Sequence, residues 1–198
     1  MRDRGLALVL LLLLSPASAA AEWQIKPFTG LTFGGGTRFD DIERAAGKPN
    51  PVFGITGVLL GSVLGVDADL GRAPGFFESG GQKLLQNSRV TTLTGNVVVA
   101  VPKQMAGYSL RPYFVAGAGL MHVSIDGRLG ALTVSSTLPA MDFGGGATGF
   151  LTDRVGLSWE VRHFHSIGEG KVRGLSVSGG EQLSFWRATM AVTIRYGK

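Results

Sequence analysis

Beyond residue 21 the apolar residues of this chain alternate with polar ones instead of gathering into runs. A helix that spans a bilayer needs about 20 consecutive apolar residues, and no stretch of the chain past residue 21 supplies them, although mean hydropathy is positive. Apolar residues at period two build strands with one oily and one wet face. Segments of this kind recur at approximately Trp23 to Gly34, Val52 to Gly61, Leu64 to Gly71, Val90 to Val101, Arg111 to Asp126, Ala140 to Leu151, Val155 to His165 and Ser184 to Tyr196. Most approach the roughly 9 to 11 residues with which a tilted strand crosses a bilayer.

The connections between these segments alternate in length. Ser62 and its neighbours, Lys103 to Leu110 and Thr152 to Arg154 are short, whereas Gly35 to Pro51, Arg72 to Arg89, Gly127 to Pro139 and Ser166 to Leu183 are long. Short turns at one end and long loops at the other are the pattern of outer-membrane barrels, with the short turns in the periplasm. The expectation is an all-β chain: an eight-stranded antiparallel up-and-down transmembrane barrel with four extracellular loops and both termini in the periplasm. One short helix is expected in the first long loop, where "DDIERAAGKP" offers Asp40 or Asp41 as a cap, Gly47 as an end and Pro49 as a stop.

The chain begins with Arg2 and Arg4, an apolar run from Leu6 to Leu14, Pro16, and small residues fitting A-x-A at Ala17 to Ala19 or Ala19 to Ala21. That is the layout of a secretory signal peptide, so residues 1–21 are expected to direct export and 22–198 to form one barrel domain. The chain contains no cysteine, which excludes disulfides, thiolate catalysis and a lipid-anchored cysteine. Losing Arg2, Arg4 and Asp3 takes the formal charge from +5 to +4, and the remaining basic residues are scattered. Nucleic-acid binding, which calls for a basic patch or stripe, is not expected.

Parity assigns the faces. In "SFWRATMAVTIRY", Arg187 and Arg195 share one face, so Trp186, Ala188, Met190, Val192, Ile194 and Tyr196 face lipid, because arginine at the bilayer midplane costs about 2 to 4 kcal/mol on a barrel's outer wall. The same reasoning puts Val155, Leu157, Trp159 and Val161 outward with Ser158, Glu160 and Arg162 inward, and Leu64, Val66, Ala68 and Leu70 outward with Asp67 and Asp69 inward. In Arg111 to Asp126 it puts Tyr113, Val115, Met121, Val123 and Ile125 outward and His122, Ser124 and Asp126 inward; Lys26 decides the first segment, and Val52 to Gly61 reads either way. The expected lumen network is therefore Lys26, Arg162, Arg187 and Arg195 against Asp67, Asp69, Asp142 and Glu160. Eight strands enclose a space that side chains just fill.

An aromatic girdle is expected from Trp23, Tyr113 and Tyr196 at the periplasmic strand ends and Phe33, Phe143 and Trp186 at the outer ends. Glycine, 31 residues of the chain, suits the tight curvature of a small barrel.

The segments "WQIKPFTGLTFG", "LRPYFVAGAGL", "DFGGGATGFLTDRVGLSWEVRHF" and "FWRATMAVTIRY" together resemble the small outer-membrane β-barrel proteins of OmpA-like and OmpX-like type, the porin-family barrels in the broad sense. The resemblance covers essentially all of residues 22–198. It implies outer-membrane lipid and lipopolysaccharide as surroundings, recognition of a terminal aromatic by the barrel-assembly machinery, and a monomer. Tyr196 takes the terminal aromatic's place, followed here by Gly197 and Lys198. A structural or surface-interaction role through the loops, with an extracellular partner that the sequence does not name, is what the group implies.

Some barrels of this size are lipid A deacylases, whose signature sets a serine two residues after a histidine in "H-x-S-N", on one face of a strand. In "GLSWEVRHFHSIGEG", Ser166 follows His165 directly, three residues separate it from His163, and Ile167 stands where the motif wants serine. The alternative triad would be His165, Ser166 and Glu169, and the bland reading places both histidines at headgroup level. Asp67 and Asp69 lack a nearby histidine or third carboxylate and read as partners of arginines, not as metal ligands. "SGGEQ" and "FGGGTRF" lack the lysine and strand-to-helix setting of a phosphate loop. No catalysis, metal or cofactor is expected; a lipid A esterase and a narrow pore are the competing readings.

Overall fold

A computed structural model describes residues 21–37, 49–76, 85–102, 105, 110–127, 133–167 and 183–196. The expected signal peptide and the short helix of the first loop lie outside these residues. Eight strands follow one another: β1 (Glu22–Thr37), β2 (Asn50–Leu60), β3 (Leu64–Pro74), β4 (Leu85–Ala100), β5 (Leu110–Gly127), β6 (Thr133–Phe150), β7 (Val155–Ser166) and β8 (Leu183–Tyr196). Each pairs antiparallel with the next, and β8 closes on β1, so the sheet has no free edge. That closure is what lets strands lie in lipid, where an unpaired backbone group would find no water. No helix among the described residues is long and apolar enough to cross a membrane.

Register sets the shape. Directly paired residues lead from Trp23 through Leu59, Val66, Val97, Ala116, Phe143, His163 and Trp186 back to β1 at Phe33, ten residues from the start. With a rise of about 3.3 Å per residue and strands about 4.8 Å apart, this stagger tilts the strands roughly 40° from the axis. Each residue then climbs about 2.5 Å, and Phe33 stands about 25 Å above Trp23, which matches the height of a barrel's apolar band.

Two connections are much shorter than expected: β3 runs on to Pro74 and β4 begins at Leu85, so Arg72 and Arg89 both lie in strands. Gly127 to Pro139 is mostly strand: Thr133 pairs with Asp126, Val134 with Ile125 and Thr137 with His122, which leaves only 128–132 between β5 and β6. β-branched and hydroxyl side chains continue the ladder there beyond the belt. Among the described residues, every irregularity of register lies at the loop end, between Phe33 and Gly36 and between Leu85 and Asn87.

The faces of β3, β7 and β8 are as parity requires, with Leu64, Trp159 and Met190 exposed and Asp69, Arg162 and Arg187 buried. β2 resolves to Val52, Thr56, Val58 and Leu60 inside and Phe53 and Ile55 outside. β5 is inverted relative to its expected facing. Tyr113, Val115, Met121 and Val123 are buried in the lumen, and Leu110, Phe114 and Leu120 face outward. The reason is physical: the lumen is itself apolar at both ends, so an apolar face on β5 does not identify lipid.

Candidate functional site

The lumen is built in layers. Nearest the turns, Glu22 lies between Arg111 at 3.5 Å and Arg195 at 3.4 Å. Arg111 also donates to the carbonyls of Gly61, Ser62 and Val101, and Arg195 to that of Asp153, so both guanidinium groups tie down the turns. Above them sit Val58, Leu60, Val98, Ala100, Tyr113 and Val115.

The middle layer holds the charges. Arg162 on β7 donates to Asp67 on β3 at 2.9 Å, to Asp142 on β6 at 3.2 Å, and through Nε to Glu160. Arg187 grips Asp69 with both terminal nitrogens, at 2.8 and 2.9 Å, and Thr56 donates to the same carboxylate at 2.8 Å. The Arg187 guanidinium is also sandwiched between the Phe28 and Phe164 rings, 4.7 Å from each. Asn96 donates to Asp67 at 2.6 Å, the Tyr113 hydroxyl to Glu160 at 2.9 Å, and Lys26 to Thr148 at 3.2 Å, its ammonium lying over the Tyr113 ring. Removing one member of such a buried cluster strands its partners, which costs more than the cluster contributes as a whole.

Toward the loops the lumen turns apolar again. Phe164 stacks on Phe185 with centroids 5.2 Å apart, Phe76 meets Phe185 edge-on at 5.1 Å, and Met121, Leu138 and Val90 fill the remaining space. A cavity of about 20 Å³, bordered by Lys26, Tyr113, Glu160 and Arg162 among others, has room for an ordered water and no more. The described lumen is a packed interior.

Of the expected network, Lys26, Asp67, Asp69, Asp142, Glu160, Arg162 and Arg187 meet in the middle layer, whereas Arg195 stands apart at the turn end, with Glu22. Sequence reasoning missed Glu22 and Arg111. The signal for Arg111 was available: it shares parity with Tyr113, and together they place that face inside.

Of the six expected girdle residues, Trp23, Phe33, Phe143, Trp186 and Tyr196 are exposed on the outer wall. Tyr113 is not among them: it is 6% exposed and spends its hydroxyl on Glu160. Phe114, 72% exposed, takes the outward position beside it. At the loop end of β6 to β8, His163 packs between Phe143 and Trp186, with centroids 5.3 and 4.8 Å away.

His165 and Ser166 do not form a nucleophile–base pair. Successive residues of β7 point to opposite sides; His165 lies on the outer wall beside His163, whereas Ser166 is buried and accepts the Leu183 N–H at 2.8 Å. Glu169 lies outside the described residues.

The outer wall is uneven around its circumference. On β2 to β5, a row of apolar residues, Ile55, Leu70, Leu93 and Leu120, is followed toward the loops by the directly paired row Phe53, Arg72, Thr91 and His122, which continues to Thr137 on β6. All of these face outward, and Arg89, one step nearer the loops and opposite Pro74, is exposed as well. The His122 Nδ1 lies 2.8 Å from the Thr137 hydroxyl.

A closed eight-stranded barrel with an oily belt and a filled, charge-paired lumen defines a class of membrane protein. The chain belongs to the outer membrane protein beta-barrel domain family, whose model matches residues 6–185, and it is a protein of the bacterial outer membrane. Solved structures of the same architecture include Neisserial surface protein A (TM-score 0.61, 14% identity, 88% of this chain and 97% of that one). The N-terminal β-barrel domain of Pseudomonas aeruginosa OprF (TM-score 0.55, 14%, 88% and 97%) and P. aeruginosa OprG (TM-score 0.52, 14%, 91% and 98%) are similar in the same way. At these identities the likeness is one of fold. No curated protein sequence matches the chain.

Proposed function

We propose that the protein is a non-catalytic component of the cell envelope, held in the outer membrane by its barrel and acting at the loop end. The single observation that carries this reading is the filled lumen: aromatic and aliphatic side chains close it toward the loops, and paired charges occupy its middle. Neither a substrate path nor an ion path crosses such an interior. The loops face the exterior and the short turns the periplasm, by the rule that governs this class of barrel. Residues 1–21 act as the export signal and are absent from the mature protein. Tyr196, exposed at the end of β8, serves as the aromatic that the assembly machinery reads. The barrel works as a monomer among lipid and lipopolysaccharide, and the loops meet an extracellular partner.

Two measurements test the reading. Purified protein incubated with lipopolysaccharide should release no fatty acid; release that disappears in His165→Ala or Ser166→Ala would establish an esterase instead. A cysteine placed at position 130, in a chain that otherwise has none, should react with a membrane-impermeant maleimide on intact cells, and protection there would reverse the orientation.

A further inference from the structure

Above the belt the closed barrel gives way to an open sheet. Pairing of β6 with β7 stops at Ala140 and Ser166, apart from the Ile167 N–H, which donates to the Pro139 carbonyl at 2.7 Å. β5 and β6 climb on together as far as Asp126 and Thr133. From the register, Thr137 stands about 30 Å above Trp23 and Ser135 about 5 Å higher, both beyond Phe33. In an antiparallel ladder the N–H and C=O of one residue point to the same side, and those of the next residue to the other. Pro139 presents its carbonyl to β7, so Thr137 and Ser135 present theirs, with their N–H groups, to the same side, where neither has a partner among the described residues. Ser136 and Leu138 spend theirs on β5.

Natural sheets guard such edges with bulges, charges or proline. The far edge of this projecting sheet is guarded: β4 has a register shift between Leu85 and Asn87, and exposed Arg89 stands opposite Pro74. The β6 edge, "TVSSTL" from Thr133 to Leu138, has no charge, proline or glycine and no register shift with β5. We infer that this edge is a docking site for an extended segment of another protein, which adds as a strand antiparallel to β6 and continues the ladder that β7 leaves at Ser166. The backbone groups of Ser135 and Thr137 supply the binding. Their exposed hydroxyl side chains favour a segment of uncharged, β-branched and hydroxyl residues across from them. A second copy beside this one in the membrane presents its own β6 running the same way, so it meets this edge only in the parallel sense and does not fill the antiparallel place. The inference deepens the reading that the loop end meets an extracellular partner, and it rests on that end facing outward.

The test uses full-length mature protein folded in an uncharged detergent, with amide hydrogen exchange read residue by residue. The probe is a soluble peptide of alternating threonine and valine with a lysine at each end. Alone, the protein should exchange the Ser135 and Thr137 amides at least about tenfold faster than those of Ser136 and Leu138, and millimolar peptide should slow the first pair about tenfold. The same peptide, N-methylated along the edge that meets β6, should leave them unchanged, since it keeps the side chains and loses the donors. Thr137→Pro removes an N–H that the β5 ladder does not use, and it should abolish the slowing at Ser135. Heat-modifiable gel mobility verifies folding; if this variant does not fold, Ser135→Lys, which puts a charge on the edge, takes its place and is read at Thr137. No slowing by the unmodified peptide, or equal slowing by the methylated one, would overturn the site. So would Ser135 and Thr137 amides as slow as their neighbours before peptide is added, by showing that the protein's own chain occupies the edge. Micelles have no inside or outside, so failure here refutes the edge, and failure of the maleimide experiment refutes the orientation.

Discussion

Arg162 and Asp67 are 2.9 Å apart, yet they stand on β7 and β3, four strands apart in a ring of eight and so on opposite walls. The contact is a strut across the lumen, and Arg187 with Asp69 forms a second one from β8 to β3.

Removing the first strut should be severe. Arg162→Gln leaves Asp67, Asp142 and Glu160 without their common cation, and the folded barrel should lose about 3 to 5 kcal/mol in a urea titration in lipid vesicles. A double-mutant cycle between Glu160 and Arg162 should show coupling above about 0.5 kcal/mol, whereas one between Glu160 and Arg195, which pairs with Glu22 instead, should be close to additive. Coupling of equal size in both cycles would contradict the layered arrangement.

The facing of β5 can be read directly, because single cysteines can be introduced without background. A cysteine at Phe114 should react with a lipid-soluble maleimide, and one at Val115 should be protected. The reverse result would restore the facing expected from alternation alone.

Two neighbouring glycines should behave oppositely. A methyl group at Gly119 would lie 2.0 Å from the Leu93 carbonyl oxygen, whereas one at Gly95 meets nothing within 4 Å. Gly119→Ala should cost about 1 to 3 kcal/mol or block assembly, and Gly95→Ala should stay within about 0.5 kcal/mol of wild type. Folded fractions on heat-modifiability gels separate the two.

Planar bilayers should show no discrete openings for the wild type. Phe164→Ala removes a ring that stacks on Phe185 and lies against Arg187; it should cost about 3 to 5 kcal/mol and still conduct nothing, because the charged layer beneath remains. Openings in this single variant would mean that the aromatic layer alone closes the lumen.

The strand count and the facing of β8 were legible because Arg187 and Arg195 fall on one parity and tolerate only one side. β5 was not, because its inward face offers Tyr113, Val115 and Met121 and its outward face offers Ala116 and Ala118. His122 misled the parity argument: at the rim a polar residue can face outward without meeting lipid tails. The partners Glu160–Tyr113 and Arg162–Asp67 come from strands 47 and 95 residues apart in sequence; alternation gives the side of a strand and says nothing of who stands across the lumen. Arg72 was assigned to a loop, and only the register shows it on β3 beside Thr91.

The confinement of register irregularities to the loop end gives the molecule a natural place for cargo. Between Trp23 and Phe33 the seam of β1 with β8 has no slip, and the offset begins only past Phe33, where Gly34 takes a left-handed φ of 61°. An epitope or affinity tag spliced between 38 and 48 can therefore be accommodated above the last girdle ring, and the lipid-embedded gearing below need not reset a single pairing.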